Sequence, residues 1–215
     1  MKCKICAGRC IKKGVRRGIQ QYYCRTCNKY QRQSYTYTSY EVSNDQIIAC
    51  VKEGVGIRGM SRLLGVSSTT IIRRIRSIAK SVRKPPISMR RSYEVDELYT
   101  FVQSKRRGVW IVLAFEKERK RIVDFYLGPR TKRTLRMVVN TLQISEATSI
   151  HTDGLLHYQG LINEKIHRLE RYGTNSIERF NLNLRIHLKR LARRTIAFTR
   201  SLDMLQCCLV IYLWS

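Results

Sequence analysis

Two Cys-x-x-Cys pairs, Cys3–Cys6 and Cys24–Cys27, stand 17 residues apart near the start of the chain. Four thiolates at this spacing match a tetrahedral structural Zn²⁺ site, with Cys3, Cys6, Cys24 and Cys27 as ligands. A shell closed by four sulfurs leaves no open position, which excludes substrate chemistry at that metal. Between the pairs, Gly14, Gly18 and the alternation Ile19-Gln20-Gln21-Tyr22-Tyr23 suit a β-hairpin. A unit of this size has too little core to fold alone, so metal binding and folding are coupled. Residues 1–33 are expected to form a zinc ribbon, in which Cys10 is a spare sulfur off the main spacing. Eight cysteines behind an N-terminus without an apolar stretch point to thiols and metal rather than disulfides, and to a cytoplasmic location.

Charge narrows the partner. Lys and Arg number 42 against 15 Asp and Glu, a formal net charge of +27. Residues 1–91 hold 21 of the cations and only three acids. Such an excess selects a polyanion, and the front of the chain reads as a nucleic-acid-binding module. The longest apolar runs, VWIVLAF and CCLVIYLW, fall far short of the ~20 residues that span a bilayer. No basic amphipathic helix stands out, so no membrane partner is expected.

Residues 34–43 are rich in Ser, Thr and Tyr and read as a linker. Residues 44–82 read as three helices. Asn44 is placed to cap the first, with Ile47, Ile48 and Val51 on its apolar face, and Gly54 and Gly56 end it. The second runs from about Ile57 to Leu64. Gly65-Val66-Ser67 turns the chain, and Ser68 opens a third helix through about Ala79. This is a helix-turn-helix pattern. In such a motif Ser68, Thr69 and Thr70 would face base edges, while Arg73, Arg74 and Arg76 would reach phosphates. An ordinary helical hairpin with a solvated arginine face is the plain alternative. Pro85-Pro86 stops the helix, and residues 83–92 form a second linker.

From residue 93 the pattern changes to strands, at about 93–103, 109–115 and 121–127. The middle one is continuously apolar, as in a strand covered on both faces. A helix over 131–142, a strand over 147–152, a short helix near 157–162, an amphipathic helix over 175–193 and an apolar helix over 199–214 complete the chain. The stripe of the amphipathic helix is Ile177, Phe180, Leu184, Leu188 and Leu191. This order is that of a ribonuclease-H-like mixed sheet flanked by helices, so the whole is a multidomain α/β protein.

The acids of this region sit at telling places. Asp96 shares one strand face with Leu98, Thr100 and Val102 by the period of two. Asp153 stands where the fourth strand ends, a usual place for functional groups in α/β sheets. Glu178 lies in the first turn of its helix. Three carboxylates converging beside the sheet would suit Mg²⁺ or Mn²⁺, which take oxygen ligands. Each acid also has a plain reading. Glu178 can pair with Asn175 as a cap, Asp153-Gly154 can be a turn, and Glu94, Glu97 or Asp124 can compete with Asp96.

These motifs resemble the insertion-sequence-one family of DDE transposases. The likeness rests on Asp96-Glu97-Leu98 with Phe101-Val102, Thr152-Asp153-Gly154, and Ile177-Glu178-Arg179-Phe180-Asn181 with Leu184-Arg185. Arg193-Arg194-Thr195 with Phe198-Thr199 adds to it, and the paired knuckles and helix-turn-helix complete the layout. The resemblance implies Asp96, Asp153 and Glu178 as catalytic ligands of two Mg²⁺ or Mn²⁺ ions. It implies DNA phosphate contact by Arg185, seven residues after the glutamate, and Asn181 shares that helix face. It further implies double-stranded DNA partners (element ends and target), a homodimer or higher oligomer, and a prokaryotic, nucleoid-associated setting. His151 replaces the aromatic expected before Thr152 and reads as structural. The acid at the end of the second strand stands one place late, at Glu116. The alternative function is a nonenzymatic DNA-binding regulator that retains an inactive nuclease fold.

Overall fold

The computed structural model describes residues 1–33, 42–170, 172–192 and 197–215. Most of the first linker (34–41) and the Arg193-Arg194-Thr195 segment lie outside the described residues. The chain divides into two compact units, Met1–Glu41 and Val42–Ser215.

The first unit is an antiparallel three-stranded sheet in the order β1 (Cys10–Arg16), β2 (Ile19–Cys24), β3 (Tyr30–Gln31). Arg17 and Gly18 both take positive φ at the hairpin tip, 53° and 74°, a backbone that suits the tight turn. Among the described residues, its apolar cluster is Cys3, Cys10 and Cys24 with Tyr22 and Cys27 against them. That is too little burial for a metal-free fold.

The second unit begins with α1 (Asn44–Lys52), α2 (Ile57–Leu64) and α3 (Ser68–Ser81). The cap of α1 is Ser43 rather than Asn44: its hydroxyl accepts from Gln46, whose side chain returns the bond to the Ser43 backbone. A capping box satisfies two terminal N–H groups at once, which Asn44 alone could not do. Gly65, at φ 66°, closes α2 in the left-handed conformation and makes the turn into α3.

The sheet follows, with β4 (Ser92–Phe101), β5 (Gly108–Glu116) and β6 (Arg121–Gly128) as an antiparallel meander. After α4 (Lys132–Ile144), β7 (Ser149–His151) pairs parallel to β4, and β8 (His167–Arg168) pairs parallel to β7. The order is β6-β5-β4-β7-β8, the mixed sheet of a ribonuclease-H-like fold. Helices cover both faces. Val95, Val112, Ala114 and Val123 pack under Leu135, Val138, Val139 and Leu142 of α4. Leu98, Ile111, Leu113 and Ile122 pack against α5 (Asn175–His187) and α6 (Leu202–Trp214). This two-sided burial is why β5 reads as one apolar run.

The amphipathic stripe outlasts its helix. α5 ends at His187, and Lys189–Leu191 form a single 3₁₀ turn, yet Leu188 and Leu191 still enter the same core. The turn after α1 abuts this break: a Cβ on Gly54 would lie 2.0 Å from the His187 carbonyl oxygen, and Gly54 has φ 64°. Only glycine fits there.

α6 joins two cores. Met204, Cys208 and Ile211 bury among Ile47, Val51, Met60, Ile71 and Ile75 of the three-helix motif. Leu205 and Leu209 bury against the sheet. Asp203 adds an ion pair to Arg76 of α3 at 2.8 Å. A helix apolar nearly all round is a buried helix, and here each side has its own partner.

Candidate active site

β4 aims its side chains alternately at two helix layers. Tyr93, Val95 and Glu97 point toward α4, while Glu94, Asp96 and Leu98 point toward α5. Glu94 is buried, and its Oε2 accepts the Ile177 N–H at 2.7 Å. A strand acid therefore caps α5, where Thr174 makes no side-chain cap bond, and the carboxylate matches the positive end of the helix dipole. This bond sets the start of the helix against the strand that carries Asp96.

Asp96 lies mid-strand, opposite Leu113. Its Oδ2 accepts the Asn181 amide at 2.7 Å, and its Oδ1 accepts the Glu97 N–H at 2.8 Å. Burial pushes its carboxyl up to about 6, helped by the charges of Glu97 and Asp153 and opposed by the Glu97 N–H and the Asn181 amide. Asp153 is exposed in the turn after β7. Its Oδ1 accepts the Leu155 N–H at 3.1 Å, and Gly154 takes φ 80°. Glu178 is exposed in the first turn of α5, where its Oε1 accepts the Thr174 hydroxyl at 2.9 Å.

The competing acids are already matched. Glu94 lies 3.6 Å from Lys117, Glu97 lies 2.9 Å from Arg130, and Asp124 lies 2.6 Å from Lys84. Among the described residues, Asp96, Asp153 and Glu178 have no cation within 4.0 Å. These three acids are therefore uncompensated by any described cation, in a chain of net charge +27. They do not close on a single point. Among the described residues, the only group of three or more potential ligands within 4.8 Å of one another is the cysteine cluster. Asp96 and Asp153 feel each other's charge, whereas Glu178 is turned to Thr174.

Asn181, expected to face DNA, is buried and holds Asp96, and its Oδ1 has no partner among the described residues. Arg185 is half-buried, with its Nη2 3.5 Å from the Tyr99 carbonyl oxygen. His151 is buried, with its Nε2 3.2 Å from the Ser149 hydroxyl.

Behind the site lies a pairing that sequence reading misses. Tyr158, in the 3₁₀ turn Leu156–Tyr158, donates its hydroxyl to Glu97 Oε1. Glu97 Oε2 takes two bonds from Arg130, at 2.9 and 3.1 Å, and Arg130 stacks 4.4 Å over the Trp110 ring. Tyr158 and Glu97 thus tie the Asp153 turn to the residue next to Asp96. Bidentate pairing and ring stacking both restrict Arg130.

On α3, Thr69, Arg73 and Arg76 are exposed. Ser68 is half-buried, and the Thr70 hydroxyl lies 2.8 Å from that of the cap Ser67. Arg74 turns inward to the Val42 carbonyl and to Asn44, and Arg76 pairs with Asp203. Arg73 is therefore the arginine of the three with an open outward face.

In the first unit, Cys3, Cys6, Cys24 and Cys27 bring their sulfurs within 4.8 Å of one another. The Cys3–Cys27 and Cys6–Cys24 separations are 3.6 and 3.5 Å. Cys10 stays outside this group. Gln31 donates to Cys3 at 2.9 Å and to Cys10 at 3.3 Å. Backbone N–H groups of Cys6 and Ile5 hold the Cys3 thiol down to about 5, and that of Cys27 lowers Cys24. Burial and the neighbouring sulfurs push Cys27 up to about 12. A divalent cation at the centre would resolve that conflict by ionising all four.

A family model described as IS1 transposase matches residues 91–214. The chain belongs to the IS1 transposase family. Insertion element IS1 4 protein InsB of Escherichia coli (strain K12) is 35% identical over 111 residues, covering 52% of this chain and 66% of that protein. Insertion element IS1 protein InsB of Shigella flexneri is 35% identical over 111 residues, 52% of this chain and 85% of that one. This chain therefore spans just under two thirds of the E. coli relative's length. Among solved structures, a chain of the simian T-cell lymphotropic virus intasome in complex with PP2A regulatory subunit B56 gamma is similar. Its TM-score is 0.40 at 12% identity, covering 76% of this chain and 67% of that one. A score of 0.40 is too low to carry an argument.

Proposed function

We propose that this protein is a DNA transposase that cuts and joins the ends of its own insertion sequence, with Asp96, Asp153 and Glu178 as the acids of its catalytic site. The observation that carries the reading is the pairing pattern around β4. Glu94, Glu97 and Asp124 each have a cation, while Asp96 has a buried amide and no cation. A desolvated, unpaired carboxylate in so basic a chain is costly unless a ligand completes it. Asp96, Asp153 and Glu178 would hold divalent ions, which would supply Lewis-acid stabilisation of the attacking and leaving oxygens of a phosphodiester. Asp96 is the central ligand, fixed by Asn181. Asp153 and Glu178 flank it from a strand end and a helix start. Glu178 completes the set by releasing Thr174 and turning toward Asp96. Arg185, two turns on from Glu178, holds DNA phosphate.

The remaining parts divide the work of binding. Residues 1–33 hold Zn²⁺ through Cys3, Cys6, Cys24 and Cys27, and residues 44–82 read the terminal repeats through α3, with Thr69 and Arg73 outermost. Residues 93–215 cut and join. Two ends must meet, so the working form is a homodimer or larger, acting on chromosomal DNA in the cytoplasm.

The test is labelled element-end DNA with full-length protein and Mg²⁺. Wild type nicks and joins; Glu178→Gln binds equally and cuts slower by on the order of 10³-fold or more. Equal cutting by the variant contradicts the assignment.

A further inference from the structure

A recess of about 380 Å³ opens beside the start of α5. Its floor is aromatic: Phe115 of β5 and Phe180 of α5 lie with ring centroids 5.9 Å apart, tilted by 47°. Phe115 is buried and Phe180 half-buried, so Phe180 offers the open ring. The rim is polar, with Lys120 from the β5–β6 turn and Asn175, Arg179 and Asn183 from α5. All four are exposed, and among the described residues none of their side chains has a hydrogen bond or ion pair. Neighbouring cations differ: Lys117 and Arg121 are paired with Glu94 and Glu116. Among the described residues, no acid lines the recess.

Each part of this lining selects a different chemistry. Two unpaired cations select an anion. An open aromatic ring selects a flat, weakly polar face. Two carboxamides offer donors and acceptors to a polar edge. A nucleotide satisfies all three at once, through its phosphate, its base face and its base edge. In a duplex the base faces are already stacked, so the fit is to an unpaired nucleotide. Arg179 follows Glu178 directly in sequence, but successive helix positions point about 100° apart, so Asn175, Arg179 and Asn183 stand on the side of α5 away from Glu178, Asn181 and Arg185.

We propose that this recess receives an unpaired nucleotide of the bound DNA, with its base on Phe180 and its phosphate between Lys120 and Arg179. The proposal rests on the transposase reading given above. It assigns a separate role to side chains that the carboxylate site does not use.

The experiment measures binding of full-length protein to fluorescein-labelled duplexes carrying the element end, with Ca²⁺ in place of Mg²⁺. One duplex is blunt, one carries a short 5′ single-stranded extension, and one carries the same extension as abasic sugar-phosphate. The base-bearing extension is expected to tighten binding about ten-fold over the blunt duplex, within the range for one stacked base, and the abasic extension to recover only part of it. Lys120→Ala with Arg179→Ala removes the gain for both extensions. Phe180→Leu, which keeps an apolar side chain on the sheet, removes only the difference between base-bearing and abasic DNA. Thermal melting checks that each variant is folded. An extension without gain, an abasic gain equal to the base-bearing one, or a gain untouched by these variants overturns the proposal. Mg²⁺-dependent nicking of the blunt duplex in the same preparations reports on the carboxylates alone. Lost gain with nicking intact therefore counts against the recess and not against the catalytic site.

Discussion

The four-cysteine cluster and the three carboxylates are arranged in opposite ways. The four sulfurs come from two short knuckles and already lie within 4.8 Å of one another. The three acids come from β4, the turn after β7 and α5, and they stay apart. A cluster that closes without its ion suits a structural role, since the geometry is set by local turns. An open set with one acid turned away suits a site that must admit DNA and solvent. Closed sites hold folds together, and open sites keep positions free for substrate.

The largest expected effect separates the two sites by what each loses. Removing Zn²⁺ with a strong chelator should unfold residues 1–33 entirely, because structural zinc contributes on the order of 10 kcal/mol to folding. Residues 42–215 should keep their protection in hydrogen exchange, since their cores do not include the cysteine cluster. Protection retained at Cys10–Cys24 after complete metal removal would break the comparison on the cysteine side.

A smaller effect concerns how the open site is held. Tyr158→Phe removes the hydroxyl from Glu97 and leaves the ring in the core. It should slow nicking about ten- to hundredfold and weaken activation by Mn²⁺, with DNA affinity unchanged. A variant with unchanged metal dependence would show that the Tyr158–Glu97–Arg130 set only supports the fold.

The third effect is on stability and follows from Asp96. Its folded carboxyl is raised from 3.8 to about 6, so protonation favours the fold. The metal-free protein gains this contribution fully below about pH 4 and loses it as pH rises through 6. Asp96→Asn should therefore be more stable than wild type at pH 7, by about 1–3 kcal/mol, with the difference gone at pH 4. Denaturant melts of both proteins across that range measure it. A pH-independent difference would mean that Asp96 is not desolvated as the structure has it.

How much was legible in the sequence differs between the two sites for a physical reason. The cysteine ligands repeat at short range, so spacing alone names them. The apolar run of β5 and the stripe from Ile177 to Leu191 are equally local; β5 stands where it was expected and the stripe enters one core, although its helix ends at His187, short of the expected 193. What stayed hidden depends on distant pairing. Glu94 caps a helix by accepting from Ile177, 83 residues later, and Glu97 meets Tyr158 across 61 residues. Each is one acid among several on an alternating strand until its partner is placed. Strand β8 is only His167–Arg168 and carries no pattern of its own. Asn181 looked like a surface amide because its helix position pointed to the Glu178 side. Its burial against Asp96 depends on how closely α5 lies on the sheet. The apolar run of α6 announced burial but not that its two sides would join the three-helix motif to the sheet.

Asp96, Asp153 and Glu178 are proposed to form an open divalent-cation site distinct from the cysteine cluster. Its most direct test is the melting temperature of full-length, zinc-loaded protein at pH 7 with increasing Mn²⁺. Wild type is predicted to gain stability with Mn²⁺, Asp96→Asn to show no response, and zinc content to remain constant in both. An equal Mn²⁺ response in the two proteins would contradict the account.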